Sequence, residues 1–121
     1  MTKSILIVDD DEMVRIALKE LLSPEGYEIE AVESGKEALV RINEKNYNLL
    51  IFDIIMPEMD GFELCRQVRS REDYSEVPVL FLTAKSREED RAQGIGVGAN
   101  LFLSKPISPA KLLNIISETI G

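Results

Sequence analysis

Residues 49–61, LLIFDIIMPEMDG, run from four apolar residues directly into an acid. The segment 49–52 has the continuous apolar character of a strand that is covered on both faces of a sheet. Asp53 follows it at once, and Pro57 and Gly61 turn the chain soon afterwards. Because a carboxylate is costly beside buried apolar surface, we expect Asp53 to have a chemical role.

The rest of the chain repeats one pattern, in which an apolar strand is followed by a helix. The predicted strands span residues 4–8, 28–32, 49–52, 77–82 and 100–104. Helical spacing of apolar residues follows each strand, and Ser34-Gly35 and Ser108-Pro109 mark helix starts. Since the first, third and fourth strands are the most apolar, we predict an α/β fold of the flavodoxin-like (βα)5 type. Its five-stranded parallel sheet has the order 2-1-3-4-5, with helices on both faces.

The fourth helix is predicted around residues 88–99. Its first half consists of good helix formers, but Gly94, Gly96 and Gly98 follow. Each glycine inside a helix costs about 1 kcal/mol relative to alanine. We therefore expect this helix to be the least stable element of the fold.

Composition limits the classes of function. The length of 121 residues, with 45% apolar and 30% charged residues, predicts a single domain over residues 1–121 and no output domain. A net charge of −8 argues against direct nucleic-acid binding and fits a positively charged partner or a bound cation. No membrane span or signal peptide is evident, which predicts a cytoplasmic protein without membrane insertion. The single Cys65 is expected to be a small core residue rather than a reactive thiol.

Polar residues follow four of the five predicted strands. In an open parallel sheet, ligands bind outside the carboxyl ends of the strands, where the strand order reverses. The residues expected at that edge are Asp9, Asp10 and Asp11 after the first strand, Asp53 after the third, Thr83 at the end of the fourth and Lys105 after the fifth. We take these residues as the candidate site.

The acids of this group predict a cation site. Asp9, Asp10 and Asp53 would lie within a few ångströms of one another on adjacent strands. Carboxylates at that spacing repel one another unless they bind protons or a cation. A few carboxylate oxygens, with room for water, suit Mg²⁺. A simpler alternative is that the Asp run only caps the next helix, which explains one Asp better than three together with Asp53.

Lys105 and Thr83 add an anion site beside the acids. A lysine ammonium and a threonine hydroxyl both suit phosphate oxygens, although each residue alone is common at strand ends. A divalent ion and a lysine around a carboxylate are the groups that phosphoryl transfer requires. Asp53 is then the candidate nucleophile, since aspartate can form an aspartyl-phosphate.

Four motifs together resemble the response-regulator receiver (CheY-like) domain of two-component signalling. They are ILIVDDD, LLIFDIIMPEMDG, VPVLFLTAKS and LFLSKPIS, in that order over the whole chain. The resemblance implies that Asp53 accepts a phosphoryl group from a phosphohistidine of a sensor histidine kinase or a histidine phosphotransfer protein. It implies a phosphoacceptor signalling domain, not an enzyme, which assists its own phosphorylation and dephosphorylation. The domain would act on a downstream protein through its fourth helix, fifth strand and fifth helix, as a monomer or as a dimer when phosphorylated.

The resemblance also assigns roles to single residues. It implies that Asp10, Asp53 and the backbone carbonyl of Ile55 coordinate Mg²⁺ directly and that Asp9 assists through water. Thr83 and Lys105 would hold the phosphoryl oxygens. The bond between Lys105 and Pro106 is often cis in this family.

A switch is implied as well. Phe102 matches an aromatic residue that turns inward when Thr83 is drawn to the phosphate, with an ordinary core phenylalanine as the alternative. Ile55 and Lys85 flank the path of the hydrolytic water, and neither side chain can accept its proton, which predicts a long-lived phosphate. The chain departs from the usual pattern at Asp11, at Ile55 and in the glycines of the fourth helix.

Three other functions remain as alternatives. A flavodoxin would need a phosphate loop rich in donors after the first strand, where DDDE repels phosphate. A metal-dependent phosphatase or hydrolase with a nucleophilic Asp carries D-x-D after its first strand and has a cap domain. Here the candidate nucleophile Asp53 follows the third strand, and Ile55 stands where that motif has its second Asp. A receiver that has lost phosphorylation and serves only as an interaction module is disfavoured because all five site positions are filled.

Overall fold

The computed structural model describes residues 2–121 and contains one five-stranded parallel sheet. Its strands are β1 (Ser4–Val8), β2 (Glu28–Val32), β3 (Leu49–Phe52), β4 (Val79–Thr83) and β5 (Leu101–Ser104). They lie in the order β2-β1-β3-β4-β5, and every neighbouring pair is parallel. The predicted winding is confirmed.

Five helices connect and cover the strands. They are α1 (Glu12–Leu22), α2 (Gly35–Glu44), α3 (Gly61–Arg69), α4 (Glu88–Gly96) and α5 (Pro109–Ile120), with short 3₁₀ turns at Ser23–Glu25 and Glu72–Tyr74. Within residues 2–121, no helix combines the length and the apolar character that a bilayer crossing requires.

The sheet separates two apolar cores because successive side chains of a strand point to opposite faces. On one face, Ile5 and Ile7 of β1 pack in a cluster that includes residues of α1 and α5. On the other face, Leu6 and Val8 pack in a cluster with residues of α2 and α3, and Gly94 places α4 against the same core. All five side chains of β1 are buried, as its continuous apolar run predicted.

Side-chain caps begin four of the helices. Ser34 and Ser108 accept hydrogen bonds from the amides of Glu37 and Lys111, so both predicted helix starts are confirmed. Asp11 and Asp60 cap α1 and α3 in the same way. Each such cap satisfies an amide that has no partner within its helix.

Four predicted boundaries were wrong by one to three residues, and one of them is the end of β4, which is Thr83 rather than residue 82. β4 begins at Val79 rather than at residue 77, because Pro78 has no amide hydrogen to donate to a neighbouring strand. β5 begins one residue later than predicted, at Leu101. The fourth helix ends at Gly96 rather than at residue 99, and Gly98 turns the chain with a φ of 103°. The low stability expected of this helix stays a prediction.

Cys65 lies in the core, as predicted. Its side chain is fully buried on α3, and its Sγ lies 3.4 Å from the carbonyl oxygen of Val97. Burial raises the pKa of the Cys65 thiol to about 11, although the charges of Arg69 and Arg66 oppose the shift. The thiol is therefore protonated and shielded at neutral pH.

Gly61 permits the closest backbone contact near the end of β3. A Cβ atom at this position would lie 2.3 Å from the carbonyl oxygen of Asp53 and 2.9 Å from the Cα atom of Ile54. The amide of Gly61 also donates to the carbonyl oxygen of Ile54 at 2.9 Å. Only a residue without a side chain lets the start of α3 return this close to β3.

We predict that Gly61→Ala lowers the free energy of unfolding by about 1–3 kcal/mol, because the new methyl group meets backbone that cannot step aside. Gly96→Ala is the matched control, since a Cβ there has no neighbour within 4 Å. The control should leave stability unchanged or raise it by up to about 1 kcal/mol. Urea unfolding of both variants measures this; equal losses in the two variants would contradict the steric explanation.

Candidate functional site

Two buried acids stand at the carboxyl ends of neighbouring strands. Asp9 follows β1 and is 3% exposed, and Asp53 follows β3 and is 8% exposed, whereas Asp10 is exposed. The amide of Asp53 donates to the carbonyl oxygen of Val8 at 2.9 Å, which continues the pairing of β1 with β3 and brings the two acids side by side. Carboxylate oxygens of Asp9, Asp10 and Asp53 all lie within 4.8 Å of one another.

Lys105 connects the two buried carboxylates. Its Nζ donates to Asp9 Oδ2 at 2.8 Å and to Asp53 Oδ2 at 3.2 Å. Lys105 lies one residue beyond β5, and the backbone holds it there, because its amide donates to the carbonyl oxygen of Thr83 at 2.8 Å. The peptide bond between Lys105 and Pro106 is cis, as the resemblance implied. The sequence-predicted acids and the predicted lysine therefore form one cluster.

The pKa values of this cluster reflect burial and opposite charge together. Burial raises the pKa of Asp9 above its ordinary value, although hydrogen bonds from Lys105 and from the amide of Asp11 pull it down. For Lys105, burial disfavours the charged form, but the hydrogen bonds and charges of Asp9 and Asp53 outweigh it and raise the pKa. The ammonium is thus firmly charged, while burial keeps the charged form of Asp9 costly.

The donors in this cluster fit a hard divalent cation. Three carboxylates with one ammonium leave an excess of negative charge, and burial, which raises the pKa of Asp9, makes that charge more costly. All of the nearby ligand atoms are oxygens, which Mg²⁺ prefers. A cation among these oxygens would remove the repulsion that the lysine only partly relieves.

Asp53 is held by both of its oxygens. Oδ1 accepts a hydrogen bond from the amide of Ile54 at 2.7 Å and a longer one from the amide of Ile55 at 3.4 Å, while Oδ2 faces Lys105. These contacts fix the direction of the carboxylate. The side chain of Ile55 itself is 57% exposed, at the mouth of the site.

Thr83 and Lys85 lie on the β4 side of the cluster. Thr83 is the last residue of β4 and is fully buried, and its Oγ1 accepts a hydrogen bond from the amide of Lys85 at 3.2 Å. The ammonium of Lys85 lies 3.9 Å from Asp90 Oδ1. Lys85 thus pairs with a buried acid of α4 in this structure, a partner that the sequence did not indicate.

Asp11 lies outside the cluster. Its side chain accepts a hydrogen bond from the amide of Met13 at 2.9 Å and is exposed at the start of α1. Capping therefore explains Asp11, but it does not explain the buried Asp9 or Asp53. The capping alternative holds for one acid of the run.

Phe102 is buried on β5, with 8% exposure, and belongs to the core cluster of its sheet face. The alternative of a core phenylalanine is therefore correct as a description of its place. Its role as a switch stays a prediction. Its contacts with Arg91 and Gly94 of α4 could not be predicted, since an arginine and a glycine in a helix have many ordinary roles.

Comparisons with known proteins agree with this geometry. The transcriptional regulatory protein GltR of Pseudomonas aeruginosa is 40% identical over 111 residues, which is 92% of this chain and 46% of GltR. The chain spans about half the length of the curated relatives it matches.

Two solved structures resemble the whole chain. The chemotaxis protein CheY4 of Vibrio cholerae has a TM-score of 0.94 and 34% identity, covering 98% of this chain and 99% of its own. The receiver domain of sensor histidine kinase PA1611 from Pseudomonas aeruginosa PAO1, with a magnesium ion coordinated in its active site cleft, has a TM-score of 0.91 and 29% identity. That match covers 100% of this chain and 99% of the other.

The family model described as "Response regulator receiver domain" matches residues 5–117. It covers β1 from Ile5 onward, the other four strands and the residues of the candidate site. The chain belongs to the family of response regulator receiver domains of two-component systems.

Proposed function

We propose that Asp53 accepts a phosphoryl group from a phosphohistidine of a sensor histidine kinase or a histidine phosphotransfer protein, in a reaction that depends on Mg²⁺. The observation that carries the proposal is the contact between Lys105 and the Asp9–Asp53 pair, with a third acid beside them. The family membership and the magnesium ion coordinated in the active site cleft of the PA1611 receiver domain support it.

The carboxylates of Asp10 and Asp53 and the backbone carbonyl of Ile55 would hold the metal directly, and Asp9 would assist through water. When bound, Mg²⁺ supplies positive charge to the oxygens of the transferred phosphoryl group. The excess of negative charge among these carboxylates is what makes the chain dependent on a cation, because a phosphoryl group would add to it.

The chain's own residues direct the transfer. A carboxylate oxygen of Asp53 attacks the phosphorus in line with the bond to the histidine nitrogen; that P–N bond breaks as the new P–O bond forms, and the nitrogen keeps its electron pair. The ammonium of Lys105 is 3.2 Å from Asp53 Oδ2, close enough to move onto a phosphoryl oxygen. Thr83 Oγ1 would donate to another oxygen after its local backbone shifts, since Thr83 is buried. Water later cleaves the P–O bond and releases phosphate.

The phosphorylated domain would then change its protein-binding surface. We infer that α4, β5 and α5 form this surface and that Thr83 and Phe102 transmit the change. The side chain of Ile95 on α4 is 68% exposed, which suits contact with a protein partner. The chain is in this proposal a phosphoacceptor rather than an enzyme, because the phosphoryl group is transferred to its own side chain, from which water later releases it.

We predict that Asp53→Asn abolishes phosphorylation by acetyl phosphate in the presence of Mg²⁺, because an amide oxygen is a far weaker nucleophile than a carboxylate. Intact-mass spectrometry measures the added phosphoryl group. Asp60→Asn is the matched control: Asp60 is an exposed cap of α3 in the same loop, and asparagine caps equally well. Full labelling of the Asp53 variant, or loss of labelling in the control, would refute the assignment.

We predict that Ile55→Asn shortens the lifetime of the aspartyl-phosphate by about tenfold, which is about 1.4 kcal/mol in the barrier. Ile55 lies at the mouth of the site and cannot hydrogen-bond a water, whereas an amide side chain can position one. Phosphate release after removal of the donor gives the rate, with Ile95→Asn as an equally polar change on the distant α4. Decay of the Ile55 variant at the wild-type rate or slower would exclude this explanation.

A further inference from the structure

Phe102 is the outermost ring of an aromatic group that begins beside the phosphoacceptor. Its ring centroid lies 6.0 Å from that of Phe81, and the Phe81 ring lies 5.6 Å from Phe62 and 6.3 Å from Phe52. Phe52 directly precedes Asp53 in the chain. In its inward position, the Phe102 ring therefore packs against the rings that lie behind the site.

Arg91 of α4 covers this ring from outside. Its guanidinium carbon lies 5.1 Å from the centroid of the Phe102 ring, within the range of a cation–π contact. Nη1 donates to the carbonyl oxygen of Phe102 at 3.2 Å, and Nη2 donates to Ser104 Oγ at 3.3 Å. One side chain thus contacts the ring and the backbone carbonyl of Phe102 and the side chain of Ser104, which directly precedes Lys105.

Gly94 supplies the space that the ring occupies. A Cβ atom at Gly94 would lie 2.9 Å from Cδ2 of Phe102 and 3.2 Å from Cδ2 of Phe81. Any larger residue would press on both rings at once. Because Gly94 lies on α4, only three residues after Arg91, the same helix both makes room for the ring and covers it.

We propose that Arg91 and Gly94 are positioning residues that hold Phe102 in its inward rotamer and thereby favour binding of a phosphoryl group at Asp53. The hold of Arg91 and Gly94 on the ring does not depend on the function of the site. The effect on phosphoryl binding rests on the proposed function, in which an inward Phe102 accompanies the phosphorylated site. If the two are coupled, loss of the inward ring must weaken phosphoryl binding by the same factor by which phosphoryl binding stabilises the inward ring.

The first experiment observes the ring without any phosphoryl ligand. 4-Fluorophenylalanine is incorporated at the four phenylalanines, and the Phe102 resonance is assigned by its loss in Phe102→Leu. A soluble gadolinium chelate should broaden this resonance more in Arg91→Ala and in Gly94→Ala than in the wild type. Arg87→Ala is the matched control, since Arg87 lies at the start of α4 in an exposed ion pair with Glu89. Equal broadening in all four proteins overturns the proposal.

The second experiment measures binding of beryllofluoride, a phosphoryl mimic, in the presence of Mg²⁺. The dissociation constant should rise about threefold to tenfold in Arg91→Ala, the range expected when one cation–π contact with its hydrogen bonds is lost. Arg91→Lys keeps the charge but not the forked donors, so it should restore part of the affinity. The affinity for Mg²⁺ should be equal in the wild type and in these variants. A general destabilisation of the fold would instead lower the affinity for both Mg²⁺ and beryllofluoride.

The outcomes separate this proposal from the function on which it rests. If the wild type binds no beryllofluoride, the proposed function fails, and the fluorine experiment still decides whether Arg91 and Gly94 hold the ring. If the wild type binds it and Arg91→Ala binds it equally well, the coupling is overturned while the phosphoacceptor role stands. Should Arg91→Ala not fold, Gly94→Ala carries both measurements.

Discussion

The contact of Lys105 with Asp9 and Asp53 is the interaction on which the rest of the site depends. Two carboxylates stand at the ends of adjacent strands with little access to water, and one ammonium lies between them. Buried like charges are costly, so this arrangement persists only with positive charge close by. The lysine supplies one positive charge, and the third acid, Asp10, adds a further negative charge. The remaining excess of negative charge favours binding of a cation. In this account the excess of negative charge attracts Mg²⁺, and the bound cation would then let the site accept a phosphoryl group, which otherwise adds to that excess.

The fold contributes by bringing distant parts of the chain to one edge. Parallel pairing aligns the carboxyl ends of β1, β3, β4 and β5, and the loops after them need only small adjustments to place each side chain. Gly61 lets α3 return against the backbone of Asp53, so the proposed nucleophile lies between the end of β3 and the start of α3. The aromatic group from Phe52 to Phe102 then connects the site to the face formed by α4 and β5. In the proposed function, packed rings behind the site and a turn of the Phe102 ring would let the domain report its chemical state.

The sequence predicted the strand order and the acidic cluster because both follow from strong local signals. Runs of apolar residues such as 4–8 and 49–52 leave few other structures, and polar residues at their ends must meet in a parallel sheet. The start of β4 was missed because Pro78 lacks one backbone hydrogen-bond donor, and the end of α4 was missed because Gly98 turns the chain through one backbone torsion. A hydrophobic pattern encodes neither effect. The partners of Lys85 and Arg91 could not be predicted, since long basic side chains on a surface reach many acids and rings alike.

Thermal unfolding with and without Mg²⁺ tests the electrostatic account most directly. A ligand that binds only the folded chain stabilises it by RT ln(1 + [L]/Kd), about 2–3 kcal/mol when the ligand is near one hundred times Kd. The account predicts a higher Tm with Mg²⁺ in the wild type and in Asp11→Asn, whose cap is preserved, and little change in Asp10→Asn. A wild-type Tm that does not change with Mg²⁺, or an equal shift of Tm in Asp10→Asn, would contradict the claim that these carboxylates hold the cation.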